Sequence, residues 1–407
     1  MIVSTARNWR TPGVILLCGG LLLSLSIGTR HGFGLFLQPM TMDHGWGRES
    51  FAAALAVQNL LWGLMQPVSG MIADRFGAGR VLVAGVVFYA AGLMLMALSQ
   101  TPLAFGLSAG VLIGVGLSGT SFSIVFGVIG RVFPKDKRSM ALGVAAAAGS
   151  FGQFAMLPVE QSLISAFGWF QALLVIAAIV ALMAPLSAAL VESRPGIADH
   201  RPRQSTIEAI REATGHRGFV LLTLGFFVCG FQVVFIGVHL PAFLMDRGMP
   251  PQTGMTALAL IGFFNIIGTY VGGWLGGRIS KKYVLSFLYL GRSIVIATFL
   301  LLPITPISVY LFAAAMGLLW LATVPLTNGL VAQIFGVQYL SMLGGFVFLS
   351  HQIGSFLGVW LGGFMYDRTG SYGLVWVIAI ALGVIAAIVN LPIDEREIRR
   401  APKPQAA

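Results

Sequence analysis

The sequence predicts an all-α membrane protein with twelve transmembrane helices in two pseudo-symmetric six-helix halves. Of its 407 residues, 57% are hydrophobic and only 10% are charged, whereas soluble proteins carry about 25% charged residues. Apolar runs of about 20 residues, the length that crosses a bilayer, recur along the whole chain. A polar, proline-bearing stretch divides these runs into six and six. We therefore expect an N-terminal half at 1–190, a linker at 191–217 and a C-terminal half at 218–407.

The predicted helices follow one another through loops of a handful of residues, apart from the linker. Their apolar runs lie at 13–37, 51–73, 81–99, 103–130, 139–164, 168–190, 218–245, 253–276, 283–302, 306–332, 341–365 and 371–392. The first run is long enough to span a membrane and lacks a small-residue cleavage pattern. We therefore expect it to be the first helix and not a signal peptide.

The distribution of lysine and arginine predicts the orientation. With a cytoplasmic N-terminus, the cytoplasmic segments carry twenty basic residues and the opposite side carries three, while Arg30 and Arg292 lie within spans. Cytoplasmic loops of membrane proteins carry this excess of positive charge, so we expect both termini to be cytoplasmic, in the cell inner membrane. The net charge of +11 then reflects membrane topology, and we expect no nucleic-acid partner.

Two weak internal repeats agree with this division. The sequence from Val132 to Met140 resembles that from Ile334 to Met342 at an offset of 202 residues, and the stretch ending at Arg30 resembles the one ending at His239. Duplicated halves around a central site are typical of transporters that work by alternating access. By the second repeat, Arg30 and His239 occupy corresponding positions.

The most specific motif lies between the second and third predicted helices. The segment from Gly70 to Arg80 reads GMIADRFGAGR and closely resembles the G-x-x-x-D-R-x-G-x-x-R signature of the major facilitator superfamily. The resemblance implies the major facilitator fold and a charged gating latch made by Asp74, Arg75 and Arg80. The corresponding loop of the second half has Gly277 where the acid would be, so we expect its latch to be degenerate.

Within that superfamily, two segments resemble the monocarboxylate porter and oxalate/formate antiporter branch. The segment from Val132 to Gly149 is similar to the monocarboxylate porter signature, and the eighth predicted helix is similar to the corresponding porter helix. The substrate-determining positions differ: Asn265 stands where the monocarboxylate porters have a carboxylate, and His351 stands where oxalate/formate antiporters have a lysine. The resemblance implies transport of an organic anion but does not transfer a substrate.

The ionisable residues inside the predicted spans indicate the sign of the charge on the transported solute. Of the fourteen acidic residues, only Glu160 lies within a span, whereas several basic residues are embedded or nearly so. An ionisable group inside a membrane marks a substrate or ion pathway, and a guanidinium matches a carboxylate bidentately. We therefore predict that Arg30 anchors the carboxylate of the transported solute. The structural alternative is that Arg30 lies at a helix end and extends its side chain to the lipid headgroups.

The remaining predicted site residues are polar groups within or near the spans. The predicted substrate-binding residues are Arg30, His31, His239, Asn265, His351 and Gln352. His351 and Glu160 are the candidates for proton coupling, because histidine titrates near physiological pH and Glu160 is the only embedded acid.

These observations predict a secondary active transporter of a small organic anion, most simply a monocarboxylate, by proton-coupled symport. An organic-anion exchanger and a multidrug or amphiphile exporter of the same fold stay open as alternatives, as does a transporter-like sensor. The sequence has no GxxxxGK[ST] phosphate-binding loop and no metal-spaced cluster. We expect no enzymatic activity, no catalytic or metal-binding residues and no cofactor, and we expect a monomer in the lipid bilayer to be functional.

Overall fold

The computed structural model describes residues 9–46, 48–191, 204–398 and 400, and this part of the chain is helical with no β-strand. The predicted all-α class is confirmed. Its α-helices are α1 Pro12–His31, α2 Gly34–His44, α3 Arg48–Phe76, α4 Ala78–Ala97, α5 Pro102–Phe105, α6 Ile113–Thr120, α7 Phe122–Val132, α8 Lys135–Ala181, α9 Met183–Ser187, α10 Thr206–Gly215, α11 Arg217–Met245, α12 Pro251–Gly276, α13 Lys281–Leu301, α14 Pro306–Leu319, α15 Thr323–Phe335, α16 Leu340–Thr369 and α17 Gly373–Asn390.

The helices of the described residues are consistent with twelve membrane spans. Ten stretches are long and apolar enough to cross a membrane by length and composition. One of them, Lys135–Leu190, contains a turn at Gly168 with φ 80°, a conformation that glycine adopts without strain, and so supplies two spans. The 29-residue helix α3, which carries charged residues near both ends, supplies the remaining one.

Besides a turn at the exposed Leu182 between α8 and α9, three of the spans are broken along their length. The first breaks between α1 and α2 at Gly32 and Phe33, the fourth at Ser121 between α6 and α7, and the tenth between α14 and α15. The fourth span also contains a π-helix at Gly106–Leu112. Non-helical backbone at membrane depth is tolerated where protein or a cavity covers it, so these breaks indicate the interior of the helix bundle.

The helices form an N-terminal set, α1–α9, and a C-terminal set, α11–α17. The sets pack against each other mainly through α3 on α16 and α8 on α12. We call the end of the bundle where α3 and α12 finish and where α8 and α16 begin the linker end, and the opposite end the far end. After α17 the chain runs along the linker end, where Glu397 forms an exposed ion pair of 2.6 Å with Lys135 of the other set.

Candidate functional site

A line of polar side chains crosses between the two helix sets, near the middle of α3 and α16. Arg30 Nη2 donates to Asn59 Oδ1 at 3.0 Å, and Gln352 Nε2 donates to the backbone carbonyl of Asn59 at 3.3 Å. His351 Nδ1 lies 3.3 Å from Gln352 Oε1. We call Arg30, Asn59, Gln352 and His351 the polar bridge. It brings together three of the predicted substrate-binding residues and adds Asn59.

Arg30 lies in the last turn of α1, directly before the break of the first span. Its side chain is partly exposed, and Asn59 is its only hydrogen-bond partner among the described residues. Arg30 Nε is buried without a partner. A charged group in such surroundings normally has an opposite charge or several acceptors. The guanidinium therefore has bonding capacity that the described part of the protein does not use.

His31 follows Arg30 and is exposed. Successive residues of an α-helix are about 100° apart around its axis, so the two side chains leave the helix in different directions. Among the described residues His31 has no hydrogen-bond partner in the polar bridge. The structure does not join it to the bridge.

Glu160 lies in α8 and packs against the break of the first span. Its side chain is fully buried, and neither carboxyl oxygen has a hydrogen-bond partner among the described residues. The carboxyl group occupies the space that a Cβ atom would take at Gly32. Glycine at position 32 is therefore required by close approach, and Glu160 contacts the same break that Arg30 precedes.

His351 is buried between aromatic rings of the C-terminal set. Its ring stacks on Phe348 with centroids 5.5 Å apart and lies 5.0 Å from the ring of Phe226. Ser355 Oγ is 3.4 Å from His351 Nδ1. Only 8% of the residue is exposed, and its polar contacts include Gln352 and Ser355.

The structure places His239 away from the polar bridge. His239 Nε2 lies 3.0 Å from the carbonyl oxygen of Val359, and its ring packs against Gly362 and lies 5.1 Å from the ring of Tyr372. Val359 is eight residues after His351 in α16, which is about 12 Å along a helix. The substrate-binding prediction for His239 therefore does not fit the geometry, because its contacts stay within the C-terminal set.

Asn265 also departs from its predicted role. Its side chain is fully buried, its Nδ2 donates to Ser150 Oγ at 3.0 Å, and its Oδ1 accepts the backbone N–H of Leu321 at 3.0 Å. The first bond joins the two helix sets, and the second satisfies a free N–H at the break of the tenth span. Since both ends of the amide are used, Asn265 is a structural bridge in this conformation, and its substrate-binding role stays a prediction.

Arg292, the second arginine within a span, serves the same break. Its fully buried guanidinium donates to the carbonyl oxygens of Leu319, at 2.7 and 2.9 Å, and Trp320. These carbonyls are left free where α14 ends. Arg292 therefore replaces missing helical hydrogen bonds and is not available to a solute.

The charged contact predicted at Asp74 is present, but with a different arginine. Asp74 forms a buried ion pair of 2.8 Å with Arg131 at the end of α7. Its carboxylate also accepts the backbone N–H of Met342 at 2.8 Å and that of Ser341 at 3.4 Å, at the start of α16. Asp74 thus joins the N-terminal set to a helix N-terminus of the C-terminal set, where a negative charge is stabilised.

Arg75 and Arg80 were expected to belong to this latch, and the structure corrects that expectation. Both side chains are exposed, and among the described residues neither forms an ion pair with Asp74. Arg75 instead lies over the ring of Phe76, 5.1 Å from its centroid. Arg75 lies in the last turn of α3 and Arg80 in the first turn of α4, and both side chains are at the surface.

The contacts between the sets close the linker end. Besides the Asp74 contacts, Ser139 Oγ donates to the carbonyl oxygen of Gly273 at 2.9 Å, where α8 crosses α12. These contacts and the Asn265–Ser150 bond lie at the level of the polar bridge or nearer the linker end. The described residues contain no group of three His, Cys, Asp or Glu side chains that could hold a metal ion.

The chain is similar to known transporters over most of its length. The family model of the Major Facilitator Superfamily matches residues 16–349. The chain is 26% identical to the uncharacterized MFS-type transporter YcxA of Bacillus subtilis, over 89% of this chain and 90% of that relative. It is also 26% identical to monocarboxylate transporter 13 of Bos taurus, over 91% of this chain and 86% of that relative.

The fold has a solved counterpart. The transporter FucP in its outward conformation matches with a TM-score of 0.77 at 16% identity, over 93% of this chain and 97% of that structure. Sequence match, fold and apolar helices agree on a multi-pass membrane transporter, not an enzyme. The chain belongs to the Major Facilitator Superfamily.

Proposed function

We propose that the protein transports a small monocarboxylate together with a proton, by alternating access between its two helix sets. The observation that carries the proposal is Arg30, a partly exposed guanidinium at the contact of the two sets, with one neutral partner among the described residues. A guanidinium binds a carboxylate through two parallel charge-assisted hydrogen bonds. An anionic cargo supplies the negatively charged partner that Arg30 does not have among the described residues.

The surrounding groups favour an anion over a cation. The polar bridge places the side-chain amide of Gln352, an N–H donor, beside Asn59, the partner of Arg30. The nearby Glu160 is fully buried, so it does not present a negative surface that would attract a cationic drug. Several relatives are monocarboxylate transporters by name, which agrees with this class of cargo.

Glu160 is the proposed proton carrier. Burial of an ionised carboxylate without a partner costs several kcal/mol, so loss of the proton requires the break at Gly32 to move away from Glu160. Arg30 is two residues before that break. Proton release and the position of the anion-binding arginine are therefore connected through one short segment of backbone.

In the proposed cycle, the described conformation is the outward-open one and the linker end is cytoplasmic. The anion enters from the far end and binds Arg30 while Glu160 holds a proton. The sets then rock, which breaks the Asp74 contacts at the start of α16 and opens the linker end. His351, in contact with Gln352, is the alternative proton site.

Uptake into proteoliposomes tests the proposal. A panel of radiolabelled lactate, pyruvate, propionate and benzoate is offered with and without an inwardly directed proton gradient. We expect uptake of at least one monocarboxylate that is accelerated by the gradient and lost in Arg30→Gln, while the exposed-surface control Arg80→Gln transports normally. Normal transport by Arg30→Gln, or uptake of none of the panel, overturns the anion site.

The same vesicles separate symport from exchange. Under symport, Glu160→Gln removes gradient-driven uptake but retains exchange of internal against external carboxylate. An anion exchanger would behave differently. Its exchange would be faster than net uptake at every proton gradient, and Glu160→Gln would exchange at the same rate as wild type.

A further inference from the structure

The hydrogen bond between Arg30 and Asn59 supports a further inference, which rests on the proposed function and deepens it. Asn59 Oδ1 accepts from Arg30 Nη2 at 3.0 Å, and Asn59 Nδ2 donates to the carbonyl oxygen of Leu55, one turn earlier in α3. This backbone bond orients the amide, so that its oxygen and not its nitrogen faces the guanidinium. Asn59 therefore supplies a neutral hydrogen-bond acceptor to the Nη2 atom of Arg30.

We propose that Asn59 is a specificity-determining residue that reserves Arg30 for anionic solutes. Asn59 Oδ1 takes a hydrogen bond from Nη2, the nitrogen that both bidentate arrangements of a guanidinium use, so a carboxylate that binds Arg30 bidentately competes with the amide oxygen. A solute with a neutral carbonyl exchanges one neutral acceptor for another and gains little. A carboxylate forms charge-assisted hydrogen bonds that are roughly twice as strong as neutral ones, so it displaces Asn59.

The position of Asn59 connects this displacement to the contact between the helix sets. Its backbone carbonyl accepts from Gln352 Nε2 of the C-terminal set. At the next turn of α3, Gly63 lies against the side chain of Gln352. An amide that leaves Arg30 therefore does so where α3 meets α16, beside a second amide that can donate to the arriving carboxylate.

Two substitutions at this position are expected to change affinity in opposite directions. Asn59→Asp places a carboxylate beside Arg30, strengthens the resident partner and weakens binding of an external carboxylate by about tenfold or more. Asn59→Leu removes the resident acceptor, so external carboxylates bind about tenfold more tightly, and the corresponding neutral amide becomes detectable. A purely structural role would weaken binding in both variants.

The test measures equilibrium binding of labelled propionate and propionamide to purified protein by scintillation proximity, at pH 7.5 and pH 5. We expect affinity for propionate in the order Asn59→Leu, wild type, Asn59→Asp. Low pH should reduce the gap between Asn59→Asp and wild type by protonating the introduced carboxyl. The control Gln252→Glu changes an exposed amide at the start of α12 into an acid and is expected to bind as wild type.

The outcomes distinguish the two proposals. If wild type binds propionate but both Asn59 variants bind it more weakly or as wild type does, the role of Asn59 is overturned and the anion site stands. If wild type binds none of the monocarboxylates, both proposals fail. Should Asn59→Asp not fold, the direction of the change in Asn59→Leu decides alone.

Discussion

The two helix sets meet at the linker end through two crossings that correspond under the internal repeat but are held by different chemistry. Where α3 crosses α16, Asp74 binds Arg131 and two backbone N–H groups, all buried. Where α12 crosses α8, the position of the acid is Gly277, and the bond is a neutral one from Ser139 to Gly273. Both crossings are close-packed, since a Cβ atom at Gly70 of α3 would lie 2.6 Å from the backbone nitrogen of Met342. We call the first, which adds the buried ion pair, the ionic crossing, and the second, which packing and a neutral bond hold, the close-packed crossing.

The reason for the difference lies in where the opposing helix begins. α16 begins at Leu340, so Ser341 and Met342 are its second and third residues, whose N–H groups have no partner within the helix. At the repeat offset of 202, Leu340 corresponds to Arg138, yet α8 already begins at Lys135. Ser139 is thus the fifth residue of α8, and its N–H is used within the helix. An acid at 277 would find no free donor.

Removal of the acid at the ionic crossing is expected to have the largest effect. Asp74→Ala leaves the buried Arg131 without its carboxylate, and loss of one partner of a buried ion pair costs about 3–5 kcal/mol. We expect the linker end to open, because the closed state alone contains the contacts to α16. Pulsed electron resonance between spin labels at the exposed positions Arg80 and Arg278, one in each set, should show a longer distance.

The control for this prediction is Asp136→Ala, which removes an exposed acid near the start of α8. Its distance distribution should equal that of the unsubstituted labelled protein. An unchanged distribution in Asp74→Ala would mean that the close-packed crossing alone holds the linker end shut.

The second prediction concerns the close-packed crossing. A Cβ atom at Gly143 would lie 2.6 Å from the Cα atom of Gly273, and backbone cannot move aside as a side chain can. Gly143→Val therefore costs about 1–3 kcal/mol through overpacking and separates α8 from α12, while the ion pair of Asp74 stays intact. We expect the distance between a spin label on α8 and one on α12 to increase more than the distance between labels on α3 and α16.

Gly262→Val is the matched control, because Gly262 lies in α12 with open space around a Cβ atom. Equal separation at both crossings in Gly143→Val would contradict the prediction, since it would show that the two crossings open only as a unit.

The sequence predicted the fold well because hydropathy and charge distribution report it directly. Runs of about 20 apolar residues located the spans, and the acid of the signature motif identified Asp74 as a contact residue. The partner was assigned to Arg75 and Arg80 because they are neighbours in sequence. Arg131, 57 positions away, becomes the partner only through the way α3 and α7 pack, although its place at the end of an apolar run was visible.

The candidate site shows where sequence patterns stop being informative. The repeat equates His239 with Arg30, but the repeat relates backbone positions, and His239 turns toward Val359 within its own helix set. Asn265 stands at a position where related porters have a carboxylate, yet both ends of its amide are taken by Ser150 and Leu321. Asn59 was one of several polar residues in apolar spans, and only the geometry singles it out.

The third prediction removes the neutral hydrogen bond of the close-packed crossing. Ser139→Ala deletes the bond from Ser139 Oγ to the Gly273 carbonyl, and a neutral hydrogen bond contributes about 1 kcal/mol. We expect a roughly fivefold shift of the closed-to-open population ratio, measured with the same labels. Ser162→Ala, whose hydroxyl bonds within its own helix to Pro158, should leave the ratio unchanged. A shift as large as that of Asp74→Ala would show that the two crossings are energetically equal.

The smallest effect is expected from transferring the acid to the second crossing. Gly277 has helical backbone geometry, and a Cβ atom there meets only ordinary contacts with Trp274 and Ser139, so Gly277→Asp is sterically tolerated. Because α8 begins three residues too early to offer Ser139 N–H, the new carboxylate stays at the surface and changes stability by less than about 0.5 kcal/mol. Thermal unfolding and the label distance should both match the unsubstituted protein. A closed state strengthened as much as Asp74→Ala weakens it would mean that charge alone, and not the free N–H groups of α16, makes the ionic crossing.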